Sequence, residues 1–389
     1  MKKRTKISII GGAGHIGLPL AVKLAEKNFL VNIIDKNMNN LVEIKKKKPP
    51  FKEKDLKKRL SKVLDQNRLI FSNKLKTINN SKFVIICVGT PISKKLIPEL
   101  KSFFSLIKDI KKYIKQDSNI IIRSSVLPGT CEKIYKLIKS NCRNLSYCPE
   151  RIIEGFSLEE LPVIPQIVSA SNKATLSENK RLFKKITNHV IVCNFREAEL
   201  SKIFSNMYRY INFAIPNEMH LMSKKLNVDF NRVRKIMKFN YPRNKGLAKA
   251  GLVGGPCLMK DSMQMSYLFK KKSSLVNAAY QTNEKLPEMI VNDLKTKNKN
   301  KKIGILGLTF KPNSDDVRGS LSLKLLKVLK RKGFKCLYSD PYYKLSKGIS
   351  TKKLIEKSDV VIIATNHSCY KNLKIKRNKT IIDLSGHLK

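Results

Sequence analysis

The chain has no tryptophan, five histidines and 29 acidic residues against 80 lysines and arginines, a formal charge of +51. No two of its eight cysteines form a Cys-x-x-Cys pair. With no histidine cluster beside them, no metal site is expected. Unpaired spacing of this kind fits a reducing cytoplasm. No apolar run approaches the roughly 20 residues that span a bilayer, so no membrane insertion is expected. The opening MKKRTKISIIGGAG has a basic head, but its apolar stretch is the length of a strand and too short for a signal peptide.

The missing acids leave a cationic excess that invites two readings. A field of this sign attracts polyanions, nucleic acid among them. The plainer reading is lysine decorating solvated faces, as at Lys45 to Lys48 and Lys270 to Lys272. No zinc-finger spacing or other nucleic-acid module accompanies the charge, so no nucleic acid partner is expected.

What the chain does have is enough apolar residue, 42% of 389, to build two or three cores. Ile7 to Ile10 is a β-branched run that stops at glycines; the apolar period turns helical over Ile16–Leu24 and returns to strand at Leu30–Ile34. Further strand-like runs at Phe83–Val88, Ile120–Ile122 and Val190–Val192 alternate with helical stretches at Leu100–Ile114 and Glu132–Ile138. That alternation predicts a parallel, doubly wound sheet. Cys87 and Cys193 fall in these runs, where cysteine is usually a small buried hydrophobe. Glu199 to Lys225 predicts one long helix interrupted by Pro216, with shorter helices after it and a face suited to a homodimer. KTKNKNKK (295–302) reads as a polar linker. Beyond it the strand-glycine pattern restarts at Ile303–Leu306, with a helix over Leu321–Lys332 and strands at Lys335–Ser339 and Val360–Ala364. The expected fold class is α/β: two Rossmann-like doubly wound parallel-sheet domains joined by a central helical domain. The expected boundaries are 1–195, 196–297 and 298–389.

Three segments carry chemistry. Gly12-Ala-Gly14-His15-Ile16-Gly17 follows the first strand and opens a helix, a turn that lets a pyrophosphate approach the backbone. Asp35 ends the second strand, where an acid takes ribose hydroxyls and repels a 2′-phosphate, so NAD is favoured over NADP. Cys257 lies in GGPCLMKD, read as a loop in which Lys260 helps maintain a thiolate; alone, such a cysteine is more often structural. CPERIIEG (148–155) sets Glu150 and Glu154 four residues apart. A buried Glu there suits a general base raised by desolvation, and a surface Glu–Arg pair is the alternative.

Taken together, GGAGHIGLPLA, VGTP (88–91), SSVLPGT (124–130), CPERIIEG, ELSKIFSN (199–206), GGPCLMKD and GLTFKPNSDDVRGS (307–320) resemble the nucleotide-sugar 6-dehydrogenase family, the UDP-glucose and UDP-N-acetylmannosamine dehydrogenases. The resemblance runs through almost the whole chain in the family's order. It implies two successive hydride transfers to NAD⁺, taking a sugar C6 alcohol through an aldehyde to a carboxylate. Cys257 matches the nucleophile that captures the aldehyde and then holds a thioester. Lys202 and Asn206, one helical turn apart, match the pair that steadies the oxyanion. Glu150 matches the hydrolytic base and Asp261 the residue that helps orient water; Ser125 stands where the family usually has Thr. Val88, Gly89, Thr90 and Arg318 match cofactor contacts, with the Gly12–Gly17 turn and Asp35. Arg151, Ile152, Arg209, Arg243, Gly251, Gly254 and Lys311 match substrate contacts, with Lys249 beside them in a basic loop.

Gly319 departs from the family by replacing a glutamate, and Ser385 stands where an arginine often follows the last strand. The spelling PERIIEG, with Arg151 after the glutamate, is closer to the N-acetylhexosamine branch than to the glucose branch. The expected substrate is therefore UDP-N-acetylmannosamine, destined for surface polysaccharide, with UDP-glucose as the alternative. A one-step Rossmann enzyme of the 3-hydroxyacid type shares the fold plan but has no need of Cys257. A non-enzymatic polyanion binder is opposed by Asp35 and the intact glycine turn.

Overall fold

The computed structural model describes residues 4–270, 272–297, 300–345, 348–376 and 378–388. The chain divides into two compact units, residues 1–205 and 206–389.

The first unit begins with β1 (Lys6–Ile10), α1 (Gly17–Glu26), β2 (Leu30–Ile34), α2 (Met38–Lys45), α3 (Leu56–Asp65), β3 (Leu69–Ser72), β4 (Phe83–Ile86) and α4 (Lys101–Lys111). It continues through β5 (Asn119–Ile122), α5 (Thr130–Ile138), β6 (Leu145–Tyr147), α6 (Ser157–Glu160), β7 (Gln166–Ala170), α7 (Lys173–Lys184), β8 (Val190–Val192) and the start of α8 (Phe195–Lys225). The eight strands form one sheet in the order β3-β2-β1-β4-β5-β6-β7-β8. Central strands such as FVII and NIII are buried on both faces, as strands covered by helices on each side must be. One cluster, with Leu18, Leu24, Leu60 and Phe183, packs on one face; another, with Phe103, Ile107, Ile134 and Ile138, packs on the other.

The expectation of an all-parallel sheet needs one correction: β7 pairs antiparallel to β6, while every other neighbouring pair is parallel. A parallel crossover requires a helix laid across the sheet. The link from β6 to β7 carries only the four-residue α6, and the chain turns back. Cys87 and Cys193 also lie just beyond β4 and β8, half-buried, whereas Cys131, Cys142 and Cys148 are the fully buried thiols.

The second unit takes the rest of α8, then α9 (Phe230–Lys238), α10 (Pro256–Leu268), α11 (Ser274–Lys297), β9 (Ile303–Leu306), α12 (Leu321–Arg331), β10 (Cys336–Ser339), α13 (Thr351–Lys357), β11 (Val360–Ile363) and β12 (Thr380–Ile382). The sheet order β10-β9-β11-β12 is parallel throughout and reverses between β9 and β11, the order of a small doubly wound sheet. α8 runs unbroken through Pro216 for 31 residues. α11 is 24 residues long and includes Lys295 to Lys297, so the first part of the expected linker is helix and not linker. Its apolar face (Leu286, Ile290, Leu294) packs with Leu325 and Leu329 of α12, which is what carries the helix past the last apolar residue. Residues 298 and 299 of the linker lie outside the described residues.

At the carboxyl end of β10, Asp340 is held by its surroundings. It accepts from the backbone N–H of Leu308 (2.6 Å), Tyr342 (2.8 Å) and Tyr343 (2.9 Å), and from Nε2 of the buried His367 (3.1 Å). His367 Nδ1 accepts from Asn313 N–H at 2.9 Å, so the ring proton sits on Nε2. Burial acts to raise the Asp340 carboxyl. The hydrogen bonds from His367 and the backbone outweigh it and hold the group below its ordinary range. A depressed carboxylate contributes stability above its unfolded pKa and loses it as pH falls through the folded value. We therefore expect unfolding free energy to decline below about pH 4. Asp340→Asn should cost about 2 kcal/mol at neutral pH and flatten that decline. Urea titrations of both proteins across this range measure it.

Candidate active site

In the first unit, parallel strands end along one edge, and each releases a segment singled out in the sequence. β1 ends in the Gly12–Gly17 turn, β2 in Asp35, β4 in Val88-Gly89-Thr90, β5 in Ser125 and β6 in Glu150-Arg151-Ile152. The order β2-β1-β4-β5-β6 makes these neighbours. This is where open α/β sheets bind ligands. Thr90 Oγ1 donates to Ser125 O at 2.5 Å, tying two of the segments together.

The turn fits a dinucleotide. Gly12 and Gly17 are required by packing: a Cβ on Gly12 would lie 2.8 Å from Ile9 O, and one on Gly17 would collide with Gly11 O. Gly14 and Gly89 have no such reason, since the nearest atom to a Gly14 Cβ is 3.5 Å away and a Gly89 Cβ meets nothing within 4 Å. Glycines with open space before them let a ligand approach the backbone. Ile16, at the N-cap of α1, supplies no side-chain cap, which leaves the helix N-terminus open to an anion. Asp35 accepts from Ala13 N–H (3.1 Å) and Asn37 N–H (3.0 Å), which fixes its carboxylate at the end of β2. His15 stacks on Phe51, ring centroids 4.1 Å apart.

Glu150 is buried, but it is not the isolated carboxyl expected from desolvation. It forms an ion pair with Arg123 and accepts from Arg151 N–H (2.7 Å) and Ile152 N–H (2.9 Å). Nor is it paired with Arg151, whose guanidinium donates to Pro165 O. The loop that carries it is pinned by buried Glu53, which accepts from Gly155 N–H (2.7 Å) and Ser157 N–H (2.6 Å).

In the second unit, Cys257 is not in a loop: Pro256 opens α10 and Cys257 follows it in the first turn, exposed. Pro at the first helical position needs no N–H partner, which is why the helix starts there. One turn on, fully buried Asp261 accepts from Asn206 Nδ2 of α8 at 2.6 Å and pairs with Lys260 Nζ at 3.2 Å. Lys260 therefore has a carboxylate partner beside the helix turn that carries Cys257. Lys202 stands one turn before Asn206 on α8, half-buried. Gly251 N–H donates to Asn217 Oδ1 (2.8 Å), and Gly254 lies against Gly319. The Lys311 ammonium sits 5.6 Å from the Phe310 ring centre.

Arg209 and Lys249 are exposed, Arg243 stacks on Tyr241, and exposed Arg318 is tied to Asp316. Ser385 is buried and donates to Asp383 at 3.2 Å. Sequence reasoning missed Arg123, Gln166 and Glu53. The signal for Arg123 was a lone charge closing the apolar run NIII.

Fold and strand-end residues define an oxidoreductase of the dinucleotide-binding Rossmann class. Residues 5–187 match the NAD binding domain of the UDP-glucose/GDP-mannose dehydrogenase family, 196–285 its central domain and 304–389 its UDP binding domain. The chain belongs to that family, and NAD is its cofactor. It is 29% identical to a UDP-N-acetyl-D-mannosamine dehydrogenase of Methanocaldococcus jannaschii, over 98% of this chain and 92% of that one. It is 27% identical to a UDP-glucose 6-dehydrogenase of Rickettsia bellii, over 97% and 94% respectively. The solved UDP-D-ManNAc dehydrogenase of Pyrococcus horikoshii matches with a TM-score of 0.90 at 26% identity, covering 99% of this chain and 96% of that one.

Gly319 explains its own departure. Its φ is +62°, a Cβ there would lie 3.1 Å from the Gly255 carbonyl carbon, and its carbonyl accepts from Gly255 N–H at 3.1 Å. A side chain at Gly319 pushes on the segment that starts α10. Gly319→Ala should destabilise by about 1 kcal/mol or more and lower turnover with it, as thermal unfolding and steady-state rates will report.

Proposed function

We propose that this chain oxidises the C6 alcohol of UDP-N-acetylmannosamine to a carboxylate in two steps, consuming two NAD⁺ and one water and releasing two NADH and three protons. The observation that carries this reading is the α8–α10 pairing of Asn206 with Asp261, one turn along α10 from exposed Cys257. The bound cofactor supplies the hydride acceptor in each oxidation.

Cys257 adds its sulfur to the aldehyde carbon, forming a thiohemiacetal; loss of the second hydride leaves a thioester. The N-terminal end of α10 favours negative charge on that sulfur. Asp261 holds the Asn206 amide by its Nδ2, so Asn206 and Lys202 present donors from one side of α8 to the developing oxyanion. Glu150 takes a proton from the water that cleaves the thioester, and Ser125 adds a hydroxyl beside it. The Gly12–Gly17 turn, Asp35, the Val88–Thr90 segment and Arg318 serve the cofactor. Arg151, Ile152, Arg209, Arg243, Gly251, Gly254 and Lys311 serve the nucleotide-sugar.

The N-acetylhexosamine substrate is supported by the PERIIEG spelling and by the relatives of that name. The Rickettsia relative supports UDP-glucose as the second reading. Incubation of the protein with NAD⁺ and each sugar separates them. Two NADH per UDP-N-acetylmannosamine consumed is the expected result; one NADH per sugar removes the thioester. Cys257→Ala should lower turnover at least 100-fold; near-normal turnover would mark a one-step enzyme.

α8 also leaves Tyr208, Ile215 and Met222 exposed at seven-residue spacing, followed by Leu226. This apolar stripe supports a homodimer formed through the helix. Light scattering should find a dimer, and Met222→Glu should shift it toward monomer.

A further inference from the structure

We infer that Arg123 positions Glu150 for thioester hydrolysis, with Gln166 holding Arg123 in place; the inference rests on the reading of Glu150 as the hydrolytic base. Arg123 follows β5 and is 2% exposed. One end of its guanidinium pairs with Glu150 Oε2. Its other nitrogen donates to Gln166 Oε1 (2.9 Å) and Cys148 O (3.3 Å). Gln166 cannot flip without loss, because its Nε2 already donates to Pro149 O (3.1 Å) and Ile167 O (2.8 Å). The fork of the arginine is thereby oriented from both sides. Phe183 closes one face of it, 5.4 Å from the ring centre.

The hydrogen bonds of Glu150 determine what it has left to offer. A carboxylate has about four acceptor positions. Two on Oε1 are filled by Arg151 and Ile152 N–H, and one on Oε2 by Arg123. The remaining acceptor position is on Oε2, and its direction is set by Arg123. A water hydrogen-bonded at that position loses its proton to Oε2 as its oxygen bonds to the thioester carbon and the carbon–sulfur bond breaks, returning the Cys257 thiolate. Stability alone is a weak reason for such a pair, since apolar residues of equal volume often do as well as a buried ion pair.

The test uses the full chain with NAD⁺ and its sugar substrate, following NADH in the first turnover and the mass of the intact protein. Arg123→Met should release two NADH per site in a burst, then slow about 100-fold while a substrate-sized adduct accumulates on Cys257. Arg123→Lys, which keeps the charge but not the fork, should accumulate the same adduct and recover part of the rate. It also keeps the test decisive if the methionine variant fails to fold. A folded Arg123→Lys or Arg123→Met protein that turns over within threefold of wild type overturns the inference, as does a slow variant with no adduct. Glu150→Gln separates this from the wider reading. If it accumulates adduct and the Arg123 variants do not, only the positioning role falls; if it does not, the role of Glu150 falls first.

Discussion

The structure of the first unit depends on one constraint: parallel strands feeding helices must all turn at the same edge of the sheet. That edge collects backbone that has just left a strand and not yet entered a helix, where N–H groups are unpaired and glycines are tolerated. The Gly12–Gly17 turn, Asp35, Thr90, Ser125 and Glu150 are far apart in sequence yet adjacent there because of strand order alone. The antiparallel β7 extends the rule in an unexpected way. Running against β6, it places its first residue at the carboxyl edge, so Gln166 arrives beside Pro149 and Arg123. A crossover from β6 to a parallel β7 would have left that residue at the opposite end.

Much of this was legible in the chain itself. Runs such as KISII and FVII are too apolar to be anything but buried strands, and the glycine turn with Asp35 fixes the first β-α-β unit. What the sequence hides is short-range economy. β6 (LSY) is three residues long, below the length at which periodicity can be read, whereas the equally short β8 (VIV) shows itself as a β-branched run. α11 overruns its apolar face into KTK, so composition marks a linker where helix continues. Cys257 looks like a loop residue because two glycines precede it, but Pro256 begins a helix as readily as it ends one. The partners of Glu150 and Asp340 come from other strands, and no local pattern announces them.

The scarcity of acids gives the charge balance a structural meaning. Of the few carboxylates, several are buried and occupied by donors of the chain itself. Glu53 and Glu199 each accept two or more contacts from loop or helix N–H groups. Glu150, Asp261 and Asp340 each add a side-chain donor. A buried carboxylate without such donors would cost several kcal/mol. The lysine excess is different in kind. Runs such as Lys45 to Lys48 are exposed, where pairing contributes little.

The same logic bears on where catalytic chemistry can stand in this chain. A carboxylate on the surface here would sit among screened lysines and be free to rotate. Glu150 is instead fixed by three donors that fill most of its acceptor positions. Orientation is what remains to it. A thioester is reactive enough for that to suffice, because an aligned water needs only a defined place for its proton to go. On the proposed reading, Arg123 and the two backbone N–H groups set the direction in which Glu150 receives that proton.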